Sequence, residues 1–230
     1  MYRKITHNII EEHFDHPMAE QIKKTIDRKI TRPTEVIFTE SDFRSMVDTY
    51  FNNYVNHLVG IANSVIGTDD ELWNAFEPAF NNVDDMGTLM KNFYVSDMGE
   101  RLNIATRTLL VLMLLSVQSA KTGTANWYLN RLDNLPNDWA DVFGRYNQYW
   151  LYDTTRAAVS DIVKSLKDKL SARKAKNITL EQQAEAQLRN SFTGFSKWVQ
   201  DGVITQFPDR IASTTTSSVK NSKMVSDDIM

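Results

Sequence analysis

Apolar residues recur along this chain at three- and four-residue intervals, the spacing that places side chains on one face of an α-helix. Between residues 41 and 66 the face is explicit: Phe43, Met46, Val47, Tyr50, Tyr54, Leu58, Ile61 and Val65. Thr39 or Ser41 stands where an N-cap belongs. Val159, Ile162, Val163, Leu166 and Leu170 mark the buried stripe of a helix over 154–175. Leu180, Ala184, Leu188, Phe192, Phe195 and Val199 build a last amphipathic face. Residues 4–15 and 17–29 read as two helical pieces divided at Pro17, with Ile22, Ile26 and Ile30 on one side.

The segment 97–122 departs from this one-sided pattern. Nearly every position from Leu109 to Leu115 is apolar, so a helix here must be covered on most of its circumference. A bilayer crossing takes about 20 such residues, and Arg101, Arg107 and Lys121 bracket the run closely. The expectation is a buried core helix, with no membrane insertion.

Local signals punctuate these stretches. Gly67 is placed to end a helix in the left-handed conformation, and Thr68 with Glu71 forms a capping box for the next one. Pro78 should kink or restart that helix. Ser96 is placed to cap the apolar helix, and Gly123 to end it. A further helix is expected from near Thr124 to before Pro136, and another from Pro136. Thr179 with Gln182 suggests one more capping box. Glu35-Val36-Ile37-Phe38 is the only strand-like piece, and with no partner strand in view it reads as an extended connector.

The chain is therefore expected to be all-α: a multi-helix bundle packed around a central apolar helix (about 97–122), with extended N- and C-terminal arms. Residues 1–39 would form a helical arm and connector, 40–204 the core domain, and 205–230 a polar tail that includes an unbroken Ser/Thr run from Ser213 to Ser218.

Composition agrees. Among 230 residues there are only eight glycines and five prolines, too few for the tight turns of a multi-stranded β fold. A hydrophobic share of 42 % with 24 % charged residues excludes wholesale disorder. There is no cysteine, which removes disulfide frameworks, thiolate zinc sites and cysteine nucleophiles. The N-terminus lacks an apolar stretch of signal-peptide length, so the expected location is the cytoplasm or a virion.

Little of the sequence reads as chemistry. His7, Glu11, Glu12, His13 and His16 cluster near the N-terminus, and Glu12, His13 and His16 are the candidate metal ligands, since imidazole with carboxylate suits zinc or non-haem iron. The spacing is neither His-Glu-x-x-His nor the paired Glu-x-x-His of di-iron bundles. Gly-rich phosphate loops and Gly-x-Ser-x-Gly elbows are missing. No cofactor is expected.

Two other features point outward. Eight aromatic residues lie between Trp127 and Tyr152, and Tyr and Trp pair a large apolar area with a polar tip that suits interfaces. Trp127, Tyr128, Trp139, Tyr146, Tyr149 and Trp150 are the candidate contact residues. Charge is also segregated. From Asp69 to Glu100 eight acids face one base, a net of −7, and from Asp161 to Lys176 six bases face two acids, a net of +4. Lys164, Lys167, Lys169, Arg173, Lys174 and Lys176 form the candidate basic patch.

The leading expectation is a non-enzymatic, self-associating structural subunit of a larger assembly, of the kind a virion uses as coat, neck or adaptor. Its partners would be further copies or neighbouring subunits. A metal-dependent or small-ligand helical enzyme using the N-terminal cluster is one alternative. A nucleocapsid-type protein gripping nucleic acid through the basic patch is another, although a formal charge of −3 disfavours it.

Overall fold

A computed structural model describes residues 38–94, 96–123 and 127–212. The helical pieces expected over 4–15 and 17–29 and the Ser/Thr-rich tail lie outside the described residues. Within them the chain forms α1 (Glu40–Asn63), a 3-10 turn (Ser64–Ile66), α2 (Asp69–Met90), α3 (Ser96–Thr122) and α4 (Trp127–Arg131). After a second 3-10 turn (Leu132–Asn134) come α5 (Leu135–Tyr146), α6 (Tyr152–Lys174), α7 (Ile178–Gln206) and a third (Pro208–Arg210). Two-residue strands β1 (Phe38–Thr39) and β2 (Ile211–Ala212) pair in parallel.

The local signals account for most boundaries. Thr39 caps α1 by accepting from the Asp42 amide at 3.1 Å. Thr68 and Glu71 form a full capping box at the start of α2. Gly123 ends α3 with φ of 74°, a left-handed conformation costly for other residues. Four boundaries differ from expectation. Gly67 is extended (φ −100°), because the chain has already left α1 through the 3-10 turn. α2 passes unbroken through Pro78; Pro78 and Asn74 are both exposed, so water can satisfy the carbonyl that loses its donor. α3 starts at Ser96 itself. α7 is capped by Asn177, which accepts from the Leu180 amide at 3.1 Å. Lys176, at φ 56°, turns the chain just before Asn177, leaving Thr179 inside the first turn.

The six long helices close a cycle in which each packs on the next: α1 on α2, α2 on α3, α3 on α5, α5 on α6, α6 on α7, and α7 back on α1. α1 also reaches across to α3 and α6. The fold is thus an all-α bundle with α3 as its apolar centre. The stripes of α6 and α7 pack mainly on each other, on α5 and on α1. α3 is long enough to cross a membrane, and 83 % of its most apolar stretch is buried inside the bundle.

Aromatic rings join the two halves of the cycle. Phe195 of α7 lies 5.5 Å from Phe51 of α1, 5.7 Å from Trp139 and 5.4 Å from Phe143 of α5. Trp150 packs at 5.0 Å on Phe143 and 5.6 Å on Tyr94. Burial raises the Tyr94 hydroxyl well above the ordinary phenol value, and Asn147 donates to that oxygen.

Two glycines in α7 make opposite predictions. A Cβ at Gly202 would sit 2.0 Å from the Trp150 indole nitrogen, and that ring is wedged among its neighbours. Gly202→Ala should lower stability by about 1–3 kcal/mol through overpacking. At Gly194 nothing lies within 4 Å, so Gly194→Ala should raise stability by up to about 1 kcal/mol through helix propensity. Thermal denaturation reads both as shifts of opposite sign, about 2–4 °C per kcal/mol.

Candidate assembly surfaces

The aromatic segment divides once folded. Trp139 and Trp150 are fully buried and Tyr128 nearly so, which removes them from any exposed contact surface. Trp139 and Trp150 fill the gap where α5 turns back against α7. Tyr146 is half-buried, its hydroxyl donating to Asp97, and this hydrogen bond with Arg101 holds the Asp97 carboxyl below the ordinary range. Trp127 and Tyr149 remain exposed. Arg131 stacks 4.9 Å over the Trp127 ring.

Exposure reveals residues that periodicity missed. The large hydrophobics exposed among the described residues are Ile66, Trp127, Tyr149, Leu151, Tyr152, Ile178 and Leu180, from 43 % for Tyr152 to 68 % for Ile178. Leu180 was expected on the buried face of α7, but it is exposed in the first turn, bordering a surface depression with Ser171 and Ala172 of α6. Leu151, Tyr152 and Ile178 also stand at helix starts. An apolar residue in the first turn is the signal that could have found them.

These seven residues occupy opposite ends of the bundle. At one end the ring contacts Phe38–Phe93 (5.6 Å), Tyr94–Trp150 (5.6 Å) and Tyr94–Phe207 (4.9 Å) gather three chain crossings. Tyr149, Leu151 and Tyr152 stand there. At the other end Lys121 donates to Asp69 at 2.6 Å, and the Ser64–Ile66 turn packs on α3 and α6. Ile66 belongs to that turn. Ile178 and Leu180 follow the α6–α7 connection, and Trp127 follows the end of α3. The 23 residues of α6 separate the two sets by about 35 Å.

The candidate basic patch is largely neutralised by the fold. Lys169 is fully buried, donating to Glu181 at 3.3 Å and Glu185 at 2.8 Å across the α6–α7 hairpin. Arg173 joins Glu181, Lys167 reaches Asp133 at 2.8 Å, and Lys164 pairs with Asp168 at 2.9 Å. Of these six, Lys174 and Lys176 stand exposed without an ion pair among the described residues. The +4 counted along the sequence is therefore offset by acids that the sequence places elsewhere.

Glu12, His13 and His16 lie outside the described residues. Among those described, no group of three or more potential ligands could hold a metal. His57 is half-buried, and burial lowers its pKa from the ordinary value. Compared with family models, curated proteins and solved structures, the chain matches none.

The Lys169 cluster makes a pH prediction. Burial pushes the Glu185 carboxyl up, but its hydrogen bonds with Lys169 and Arg189 outweigh this and hold it below the ordinary glutamate value. A carboxyl lower in the folded than in the unfolded state stabilises fully above its unfolded value. That contribution fades as pH falls through the folded one. Denaturant unfolding between pH 7 and pH 3 should show this loss, and Glu185→Gln should flatten it. Lys169→Ala, which leaves two carboxylates facing a buried gap, should cost about 3 kcal/mol at pH 7.

Proposed function

We propose that this protein is a non-enzymatic structural subunit that associates with copies of itself end to end, and that the assembly it builds is a virion component such as a coat, neck or adaptor. The observation that carries the end-to-end reading is the confinement of the exposed large hydrophobics to the two ends of the bundle. The two sets differ. One is Tyr149, Leu151 and Tyr152; the other is Ile66, Trp127, Ile178 and Leu180. Unlike surfaces that meet give a heterologous contact, which repeats into a ring or an open row.

The chain path supports the same reading. β1 and β2 lie side by side at the Tyr149–Tyr152 end. The 37 residues before Phe38 and the 18 after Ala212 therefore join the bundle at one end, beside a proposed contact surface. The virion assignment rests on the pairing of a compact helical body with long terminal segments at both chain ends.

Light scattering at micromolar concentration should give a mass above the 26.5 kDa of one chain, rising with concentration. Leu151→Asp should abolish growth by disabling one end, and Ile178→Asp with Leu180→Asp by disabling the other. All three positions are exposed, so the variants should fold. Mixing the two variants should restore a contact once only, stopping at a dimer. A wild-type chain that stays monomeric at every concentration and salt level would refute self-association, and a dimer formed by either variant alone would refute the head-to-tail arrangement.

A further inference from the structure

A groove of about 490 Å³ opens between α3 and α5, running along their sides from the Tyr149–Tyr152 end of the bundle. Ile104 and Val142, both half-buried, line it between two acidic rims. Asp97 and Glu100 stand on the α3 side, Asp138 and Asp141 on the α5 side. Arg101 and Arg145 also line it, so four carboxylates against two guanidinium groups leave a net of −2. Arg101 is engaged by Asp97 at 3.0 Å. The groove offers an apolar strip with negative borders, which suits an amphipathic helix with basic flanks.

The chain carries such a segment. Met18 to Arg32 holds Lys23, Lys24, Arg28, Lys29 and Arg32 against Glu20 and Asp27, a net of +3. At about 100° per residue, Ile22, Ile26 and Ile30 share one face, and Lys23 and Lys29 border it on opposite sides. Length agrees: from Asp97 to Thr108 the groove runs about 17 Å along α3, and a helix over 18–30 would extend about 20 Å.

Where the described chain begins makes the fit reachable. Phe38 lies 5.6 Å from Phe93, and the adjacent Tyr94 lies 6.5 Å from Tyr146, which is hydrogen-bonded to Asp97 at the groove mouth. The seven residues 31–37 can span about 23–25 Å when extended. They would deliver Ile30 to the Asp97 end and Met18 toward Thr108.

We infer that residues 18–30 form an amphipathic helix that docks on the same chain's α3–α5 groove, isoleucines on Ile104 and Val142, lysines against the carboxylate rims. The absence of cysteine allows a single spin label at Thr25→Cys, beside the isoleucine face. The label should erase the methyl resonances of Ile104 and Val142 while sparing Ile178 at the opposite end of the bundle. Asp138→Lys with Asp141→Lys, the first half-buried and the second exposed, should restore the Val142 signal. Ile104 and Val142 resonances untouched by the label would overturn the inference. So would their loss in an isotope-labelled wild-type chain mixed with an unlabelled, spin-labelled copy, because the occupant would then be a second molecule.

Discussion

The bundle depends on enclosing α3. A helix apolar around most of its circumference has no stable exposed face, so every neighbour is placed by the need to cover it. α2 covers one side at very close range: a Cβ on Gly87 would sit 2.0 Å from the Asn103 side chain, and one on Gly99 would sit 2.5 Å from the Gly87 carbonyl. α1 covers another, and the fully buried Tyr54 donates to the Thr106 carbonyl at 2.7 Å. Where α3 carries a charge inside this shell, at Arg107, Asp84 of α2 meets it in a buried ion pair. Hydrophobic enclosure fixes the arrangement, and the polar contacts inside it fix the rotation of α3 against its neighbours.

Much of this was legible in the sequence because it is written locally. Thr39, the Thr68–Glu71 box and Gly123 act on residues within one turn of themselves, so their meaning survives without knowledge of the fold. The apolar run at 109–115 was equally plain. What stayed hidden depended on distance. β2 is two residues long, too short for any periodic signal, and becomes a strand only because α7 returns the chain to Phe38. Pro78 reads as a break, yet its outward position lets solvent replace the missing hydrogen bond. Asn177 outcompetes Thr179 as a cap because the left-handed Lys176 sets the start of α7.

The surfaces were less legible, for a related reason. Along the sequence, Trp127 to Tyr152 looks like one aromatic block, but side-chain density does not say which way a ring points. Folding splits it: Trp139, Phe143 and Trp150 lock α5 to α7, while Trp127, Tyr149 and Tyr152 stay outside. The basic run at 161–176 has the same ambiguity. Lys169 sits on the buried stripe, where only a partner of opposite charge makes a cation tolerable, and Glu181 and Glu185 come from the next helix. A charge run on a helix that packs along much of its length is read correctly only together with the helix it packs on.

The location of the remaining apolar surface follows from the closed cycle of helices. Side by side, each long helix has at least two neighbours, and lateral contacts are completed by rings in the core and ion pairs at the rims. The ends have no such neighbours. A side chain in the first turn of a helix points back along the axis toward the N-terminus, past the level at which an antiparallel partner has already turned away. Leu151 at the start of α6 and Ile178 at the start of α7 are in that position. Among the described residues nothing further covers them, since covering an end requires another layer. In the proposed end-to-end association a second bundle would supply that layer without disturbing any lateral contact, because the helices that close around α3 leave apolar side chains exposed at their ends.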